Sequence, residues 1–204
     1  MAEVSAGNPC PFLRALVAHD YLDDGVVPLP EAARAIVRVA AAGEGDTDLP
    51  DKAVRLIALI ANGISPAQLV RNARQGVQVN ALRDGPLDKH GAGSRILDVE
   101  ARVDESELDR LDTFAGDKQR PDGGTERGLD LAEITRYMEA NYERARGHRR
   151  RIDRRLMNGE FPQLLKVIGR DGPQGRYLSL DDVRRLFIER KLPRRLLDNL
   201  DGQR

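Results

Sequence analysis

The sequence predicts an all-α protein, and three observations carry that expectation. Apolar residues recur at three- and four-residue spacing through most of the 204 positions, the period of an amphipathic helix. Successive segments are punctuated alike, with proline or a capping residue at the start and glycine or proline at the end. Alternating or continuous β-branched runs, the mark of strands, are few. The chain is long enough for one sizeable core. It shows neither an internal repeat nor a linker long enough to divide it, so it reads as a single domain over 1–204.

The helices follow in order. Phe12, Leu13, Leu16 and Val17 share one face after Pro11, which suits a first helical position, and this helix should stop near "DYLDDG". "LPEAARAIVRVAAAG" opens on Pro30 and closes on Gly43; "LPDKAVRLIALIANG" repeats that punctuation, and "SPAQLVRNARQG" adds Ser65 as a cap. Residues 76–97 are glycine-rich and predict a long loop. "DESELDRLDTFAG" is a short acidic helix and "RPDGGTERG" a surface loop. Leu131, Ile134, Met138 and Tyr142 form the apolar stripe of the next helix. "SLDDVRRLFIERKLP" closes the chain, with Ser179 as its cap, Asp181 and Asp182 in its first turn and Pro193 after its end.

Composition excludes several classes of function. Lys+Arg and Asp+Glu are 33 each, so no net field draws the chain to nucleic acid or anionic lipid. The start "MAEVSAGNPCP" lacks a basic region followed by an apolar stretch, so no secretory signal is expected. The longest apolar segment, "AVRLIALIANGI", carries Arg55 and is too short to span a bilayer. The expected compartment is the cytoplasm, with no membrane partner.

The only cysteine, Cys10, stands between Pro9 and Pro11 at a helix start. Pro11 has no N–H, so the free donors of that first turn are the amides of Phe12 and Leu13, directed back toward the sulfur. Such a setting favours thiolate, a ligand for iron or another soft metal. A single cysteine cannot build a zinc or iron–sulfur site, but it can supply the axial ligand of a haem. A buried, inert thiol is the other reading of the same residues.

"PCPFLRALVAHDYLDDG" resembles the N-terminal signature of the haem-thiolate peroxidases, the chloroperoxidase and unspecific peroxygenase family. "NGEFPQLLKVIGRDGPQGRYLSLDDVRRLFIERKLP", residues 158–193, resembles that family's second block in order and spacing. The resemblance implies a helical fold of that family, haem b bound through Cys10, and hydrogen peroxide oxidising or oxygenating a small organic substrate. It implies Glu160 as the acid–base on peroxide; read alone, such a glutamate is more often a helix-start carboxylate. The family's assisting arginine falls at Asp153, with Arg154 and Arg155 beside it, and Arg154 is the residue assigned that role. Asp98-Val99-Glu100-Ala101-Arg102 replaces the family's Glu-His-Asp-Ala-Ser, which removes the histidine and one cation ligand. Asp98 remains a ligand for Mg2+ or Mn2+, and Arg102 is expected to contact a haem propionate in the cation's place. His90 reads as an ordinary loop histidine.

The basic run 144–155, "RARGHRRRIDRR", reads first as a solvated face. Haem propionate contact for one or two of its arginines and a phosphate-backbone surface are the other readings. Little aromatic interleaving and the acidic stretch 98–112 argue against nucleic acid. The competing overall reading is a non-catalytic helical binding or regulatory domain without haem. A third is a haem-binding protein without catalysis.

Overall fold

The structure, a computed structural model, describes residues 3–44, 49–83, 85–89, 92–157 and 159–202. His90 lies outside the described residues. The fold is not all-α: it is mixed, with helices packed around a two-stranded and a four-stranded antiparallel sheet.

The first four helices are α1 (Pro11–Ala18), α2 (Leu29–Ala41), α3 (Asp51–Ala61) and α4 (Pro66–Gln75). Pro11 opens α1, and Asp20 at φ +59 turns the chain out of it. Ser65 caps α4 in a reciprocal capping box with Gln68. Strands β1 (Val26–Val27) and β2 (Val77–Gln78) pair antiparallel, pinning the start of α2 to the end of α4. Gly76, at φ +107, lets the backbone pass Val27: a Cβ there would lie 2.4 Å from the Val27 carbonyl oxygen.

The second half is built from two similar units. In the first, α5 (Glu105–Asp112) leads into the hairpin β3 (Gly116–Gln119) and β4 (Thr125–Leu129), then α6 (Leu131–Arg144). After α7 (Asp153–Met157), the second unit runs α8 (Phe161–Ile168), hairpin β5 (Arg170–Gly172) and β6 (Gly175–Ser179), then α9 (Leu180–Arg184). The hairpins join through β4 and β6, with Gly128 opposite Ser179 and Leu129 opposite Leu178. Helix α9 widens into a π turn (Arg185–Glu189), ended by Arg190 at φ +54, and α10 (Arg194–Asp201) follows.

Two of the strands lie where the sequence reads as loop: β2 falls within 76–97 and most of β4 within "RPDGGTERG". β3 is "GDKQ", without one large apolar side chain, so alternation cannot show; its burial alternates only between half-buried and exposed. The turns do carry hairpin chemistry: Gly123 at φ +85 follows Asp122, and Gly175 at φ +113 follows Pro173-Gln174. Other expectations are corrected in detail. Leu131 is 57% exposed, and α6 instead buries Ile134, Tyr137, Met138 and Asn141. Ser179 precedes α9 but its hydroxyl donates to Glu126 Oε2 at 2.8 Å rather than capping the helix. Pro193 is followed by α10 rather than by the end of regular structure.

One connected set of buried apolar side chains runs from Val4 to Leu200. Its centre is aromatic: Phe114 meets Tyr137 edge-on at 5.4 Å, Tyr137 meets Phe161 edge-on at 5.3 Å, and Phe161 stacks on Phe187 at 6.4 Å. That chain of rings ties the turn after α5 to α6, α8 and the π turn, and it passes beside Glu160.

Candidate functional site: the Cys10–Lys89–Glu160 cluster

Cys10 occupies the N-cap of α1 with extended backbone angles, φ −84 and ψ 113. Its own N–H donates to Asn8 Oδ1 at 3.1 Å. The segment before it is fixed from two sides. Buried Arg14 donates to the carbonyls of Ser5 (2.8 Å) and Asn8 (3.1 Å), and the Gly7 carbonyl accepts from the amides of Leu82 and Arg83. The approach is close enough that a Cβ on Gly7 would lie 2.0 Å from the Asn80 carbonyl oxygen.

The amides of Phe12 and Leu13 lie near enough to the sulfur to lower its pKa, but the Cys10 side chain accepts no capping hydrogen bond. Their effect on charge is outweighed. Burial pushes the Cys10 thiol up, and the Leu13 and Phe12 amides with Lys89 recover only part of that, so the neutral thiol is favoured. The helix start organises the sulfur without making it a ready thiolate.

Glu160 forms the N-cap position of α8, yet its side chain makes no capping hydrogen bond. It turns instead to Lys89, whose Nζ lies 3.2 Å from Glu160 Oε2, with side chains 22% and 14% exposed. Burial alone would depress Lys89, but the charge and hydrogen bond of Glu160, with smaller contributions from Cys10 and Asp88, outweigh it and raise its pKa. Lys89 feels both Cys10 and Glu160, and Cys10 feels Glu160. Residues 150 positions apart in the chain therefore lie within electrostatic reach of one another and of Lys89. Gly93 completes its wall: a Cβ there would lie 3.1 Å from Glu160 Oε2 and 3.4 Å from Lys89 Cδ. Tyr137, fully buried, closes the apolar side, its hydroxyl donating to the Ser94 carbonyl at 3.3 Å.

Sequence reasoning names Cys10 and Glu160 but misses Lys89. Nothing in "GPLDKHGAGS" distinguishes a lysine that turns inward from one that faces water. The remaining candidates lie elsewhere. Arg154 is 64% exposed and pairs with Glu139 at 2.9 Å, while Asp153 is fully buried and holds Arg150 at 2.7 Å. Asp98 and Arg102 satisfy each other on the surface. Arg102 is 74% exposed; its Nε lies 2.9 Å from Asp98 Oδ2 and its Nη2 2.9 Å from Glu100. The Arg102 amide, more than its guanidinium, holds the Asp98 carboxyl below the usual carboxylate range. Both groups are spent inside one tight turn, Asp98 to Arg102, with Ala101 at φ +58.

The basic run is largely neutralised within the molecule. Arg144 pairs with Glu107 (2.8 Å), Arg146 and Arg149 with Glu143 (2.7 and 3.1 Å), Arg150 with Asp153 and Arg154 with Glu139. Arg149 also lies over the Tyr142 ring at 3.8 Å.

The donor set of a haem-thiolate site is met here only in part. One sulfur with two amide donors suits an axial thiolate. The Glu160 carboxylate, however, is engaged by the Lys89 ammonium at 3.2 Å, and the residues assigned to propionate and cation are bound to one another at the surface. As these side chains sit, they do not fit the group. Among the described residues no set of three or more His, Cys, Asp or Glu side chains could hold a metal ion. No helix among them is long and apolar enough to cross a membrane. By fold and site the chain is a mixed α/β protein with paired helix–hairpin–helix units and a closed thiol–ammonium–carboxylate cluster. No family model, curated protein or solved structure matches it.

Proposed function

We propose that this chain acts as a haem-free binding or regulatory domain, in which the Cys10–Lys89–Glu160 cluster is an internal structural contact. The Lys89–Glu160 pair carries this reading. A carboxylate neutralised by a half-buried ammonium at 3.2 Å is not free to exchange protons with peroxide. A sulfur whose burial favours the thiol is not poised as a thiolate. The cytoplasm is part of this proposal.

A second reading is favoured by one specific observation. Cys10 and Glu160, the two residues named by resemblance to the haem-thiolate peroxidases, converge from opposite ends of the chain, with two amides directed at the sulfur. Under it the chain is a peroxide-dependent oxidoreductase acting on a small organic molecule.

Haem titration separates the two. Purified chain is mixed with haemin under reducing conditions, haem per chain is measured after desalting, and the carbon monoxide spectrum is recorded. The binding-domain reading expects substoichiometric haem, with Cys10→Ala giving the same spectrum. One haem per chain, with a red-shifted Soret band that Cys10→Ala abolishes, would replace it with the oxidoreductase.

A further inference from the structure

Away from the cysteine, a cavity of about 590 Å³ opens between the last two helical segments and β5. Its size falls within the range of small-molecule sites. Asp181, Arg184, Arg185, Ile188 and Glu189, spaced as one helical face, line one wall, while Val183, Leu186 and Phe187 turn into the core. The π turn widens the helix at this wall, a local departure that recurs at functional sites. The other wall is the start of α10, with Arg194 and Arg195, and Arg170 reaches in from β5.

Five arginines thus face three carboxylates, and two of the carboxylates are already engaged. Asp182, 5% exposed, is held by Arg195 at 2.5 Å and Arg170 at 3.0 Å. Glu189 pairs with Lys191 at 3.0 Å, leaving Asp181 on the rim. Arg195 is also fixed to Glu44 at 3.2 Å and to the Ile168 carbonyl. Arg170 and Arg195 are therefore structural struts around Asp182.

Arg185 and Arg194 differ. Arg185 donates from Nε to the Leu192 carbonyl at 3.3 Å, which orients its guanidinium; neither arginine makes an ion pair among the described residues, and Glu189 feels both only at longer range. Arg184 reaches only a surface carboxylate, Asp109, at 3.0 Å. In a chain of zero formal net charge, this is a local excess of cationic forks with donors to spare. The first amides of α10 point the same way: its earliest backbone bonds are those of Leu196 and Leu197 to the Pro193 carbonyl, which leaves the Arg194 and Arg195 amides for an anion.

The geometry points to a binding site for a small phosphorylated molecule in this cavity. Arg185 and Arg194 take the phosphate, Arg184 assists, and Ile188 offers the apolar surface on which the rest of the ligand lies. A guanidinium fork matches phosphate oxygens in pairs, which an ammonium cannot do. Asp181 on the rim disfavours ligands whose negative charge extends past the phosphate. The site is independent of the cysteine cluster, so haem titration and anion titration fail separately.

Isothermal titration of the full chain uses two probes, inorganic pyrophosphate and ADP, against chloride at equal ionic strength. Binding of at least one probe at one site per chain is expected. Arg185→Ala and Arg194→Ala should each weaken it by about tenfold or more, the worth of a charge-assisted contact, while Arg185→Lys keeps charge and loses most of the affinity. Arg74→Ala, on α4, should leave it unchanged. Tighter binding of ADP than of pyrophosphate identifies Ile188 as a surface for the organic portion, and Ile188→Ala should remove that difference. No heat with either probe at millimolar concentration would overturn the proposal. So would binding that survives Arg185→Ala/Arg194→Ala in a protein with wild-type Tm.

Discussion

Replacing Lys89 with methionine keeps most of the side chain's length and its apolar stem but deletes the ammonium that faces Glu160. The magnitude follows from burial. Solvent-exposed ion pairs contribute about 0–1 kcal/mol, while breaking a fully buried pair costs about 3–5 kcal/mol because one charge is stranded. With the two side chains 22% and 14% exposed, the pair lies between these limits but nearer the buried one. Lys89→Met should therefore cost about 2–3 kcal/mol at pH 7. Glu160→Gln should cost less, because an amide in the same place can still accept from Lys89, and the stranded ammonium sits on a loop.

Lys89→Met leaves the Glu160 carboxylate beside Tyr137 and Phe161 without its cation, so removing that charge as well should relieve part of the loss. The double variant Lys89→Met/Glu160→Gln should recover about 1–2 kcal/mol of the summed single losses. Urea unfolding at pH 7, with an unchanged m-value, measures all of this. A loss below about 0.5 kcal/mol at pH 7, or strict additivity in the double variant, would show that Lys89 and Glu160 do not interact as the structure has them.

Two further outcomes follow from the fold and the cluster. Gly128→Ala should destabilise by about 2–3 kcal/mol in the same urea assay, because its Cβ would lie 2.7 Å from both the Leu178 carbonyl and the Tyr177 ring. Gly25→Ala, where nothing lies within 4 Å, is the control and should change stability by less than about 0.5 kcal/mol. Lys89 and Cys10 are both raised in the folded state, so stability should hold to about pH 8.5 and fall as pH rises further, first as Cys10 and then as Lys89 would lose its proton in the unfolded chain. Cys10→Ala should flatten the first part of that fall; a native chain equally stable at pH 7 and pH 10 would contradict both assignments.

The sequence was most legible where a helix end and an apolar face coincide. Pro11, Pro30 and Ser65 announce their helices because each satisfies or removes a donor that the first turn leaves unpaired, a local requirement independent of packing. The strands obey no such local rule. β4 is "TERGL", and only Gly128 and Leu129 of it are buried; it is a strand because Gly128 lets β6 approach and because Tyr177 and Ser179 both donate to Glu126 at 2.8 Å. Those contacts span about fifty residues, and no window of the sequence contains them. The doubling of the helix–hairpin–helix unit escaped for the same reason. Lys118 of β3 bonds Asp130 and Glu133 at the start of α6, while Arg170 of β5 bonds Asp182 in α9; the units share a plan without sharing a sequence pattern.

The cysteine cluster marks the same limit inside a site. A proline-flanked cysteine before a helix announces its geometry, since the absent Pro11 N–H leaves two amides aimed at the sulfur whatever surrounds them. Its charge state belongs to the surroundings. Burial of the sulfur opposes those amides and prevails, and the ammonium that partly offsets it comes from a loop about eighty residues away. Helix-dipole reasoning at Cys10 is therefore right about direction and silent about the larger opposing effect. The same holds at Glu160. A carboxylate at a helix start has a local partner available in the first-turn amides, yet here it leaves them for Lys89, because a half-buried ammonium needs the carboxylate more than exposed amides do.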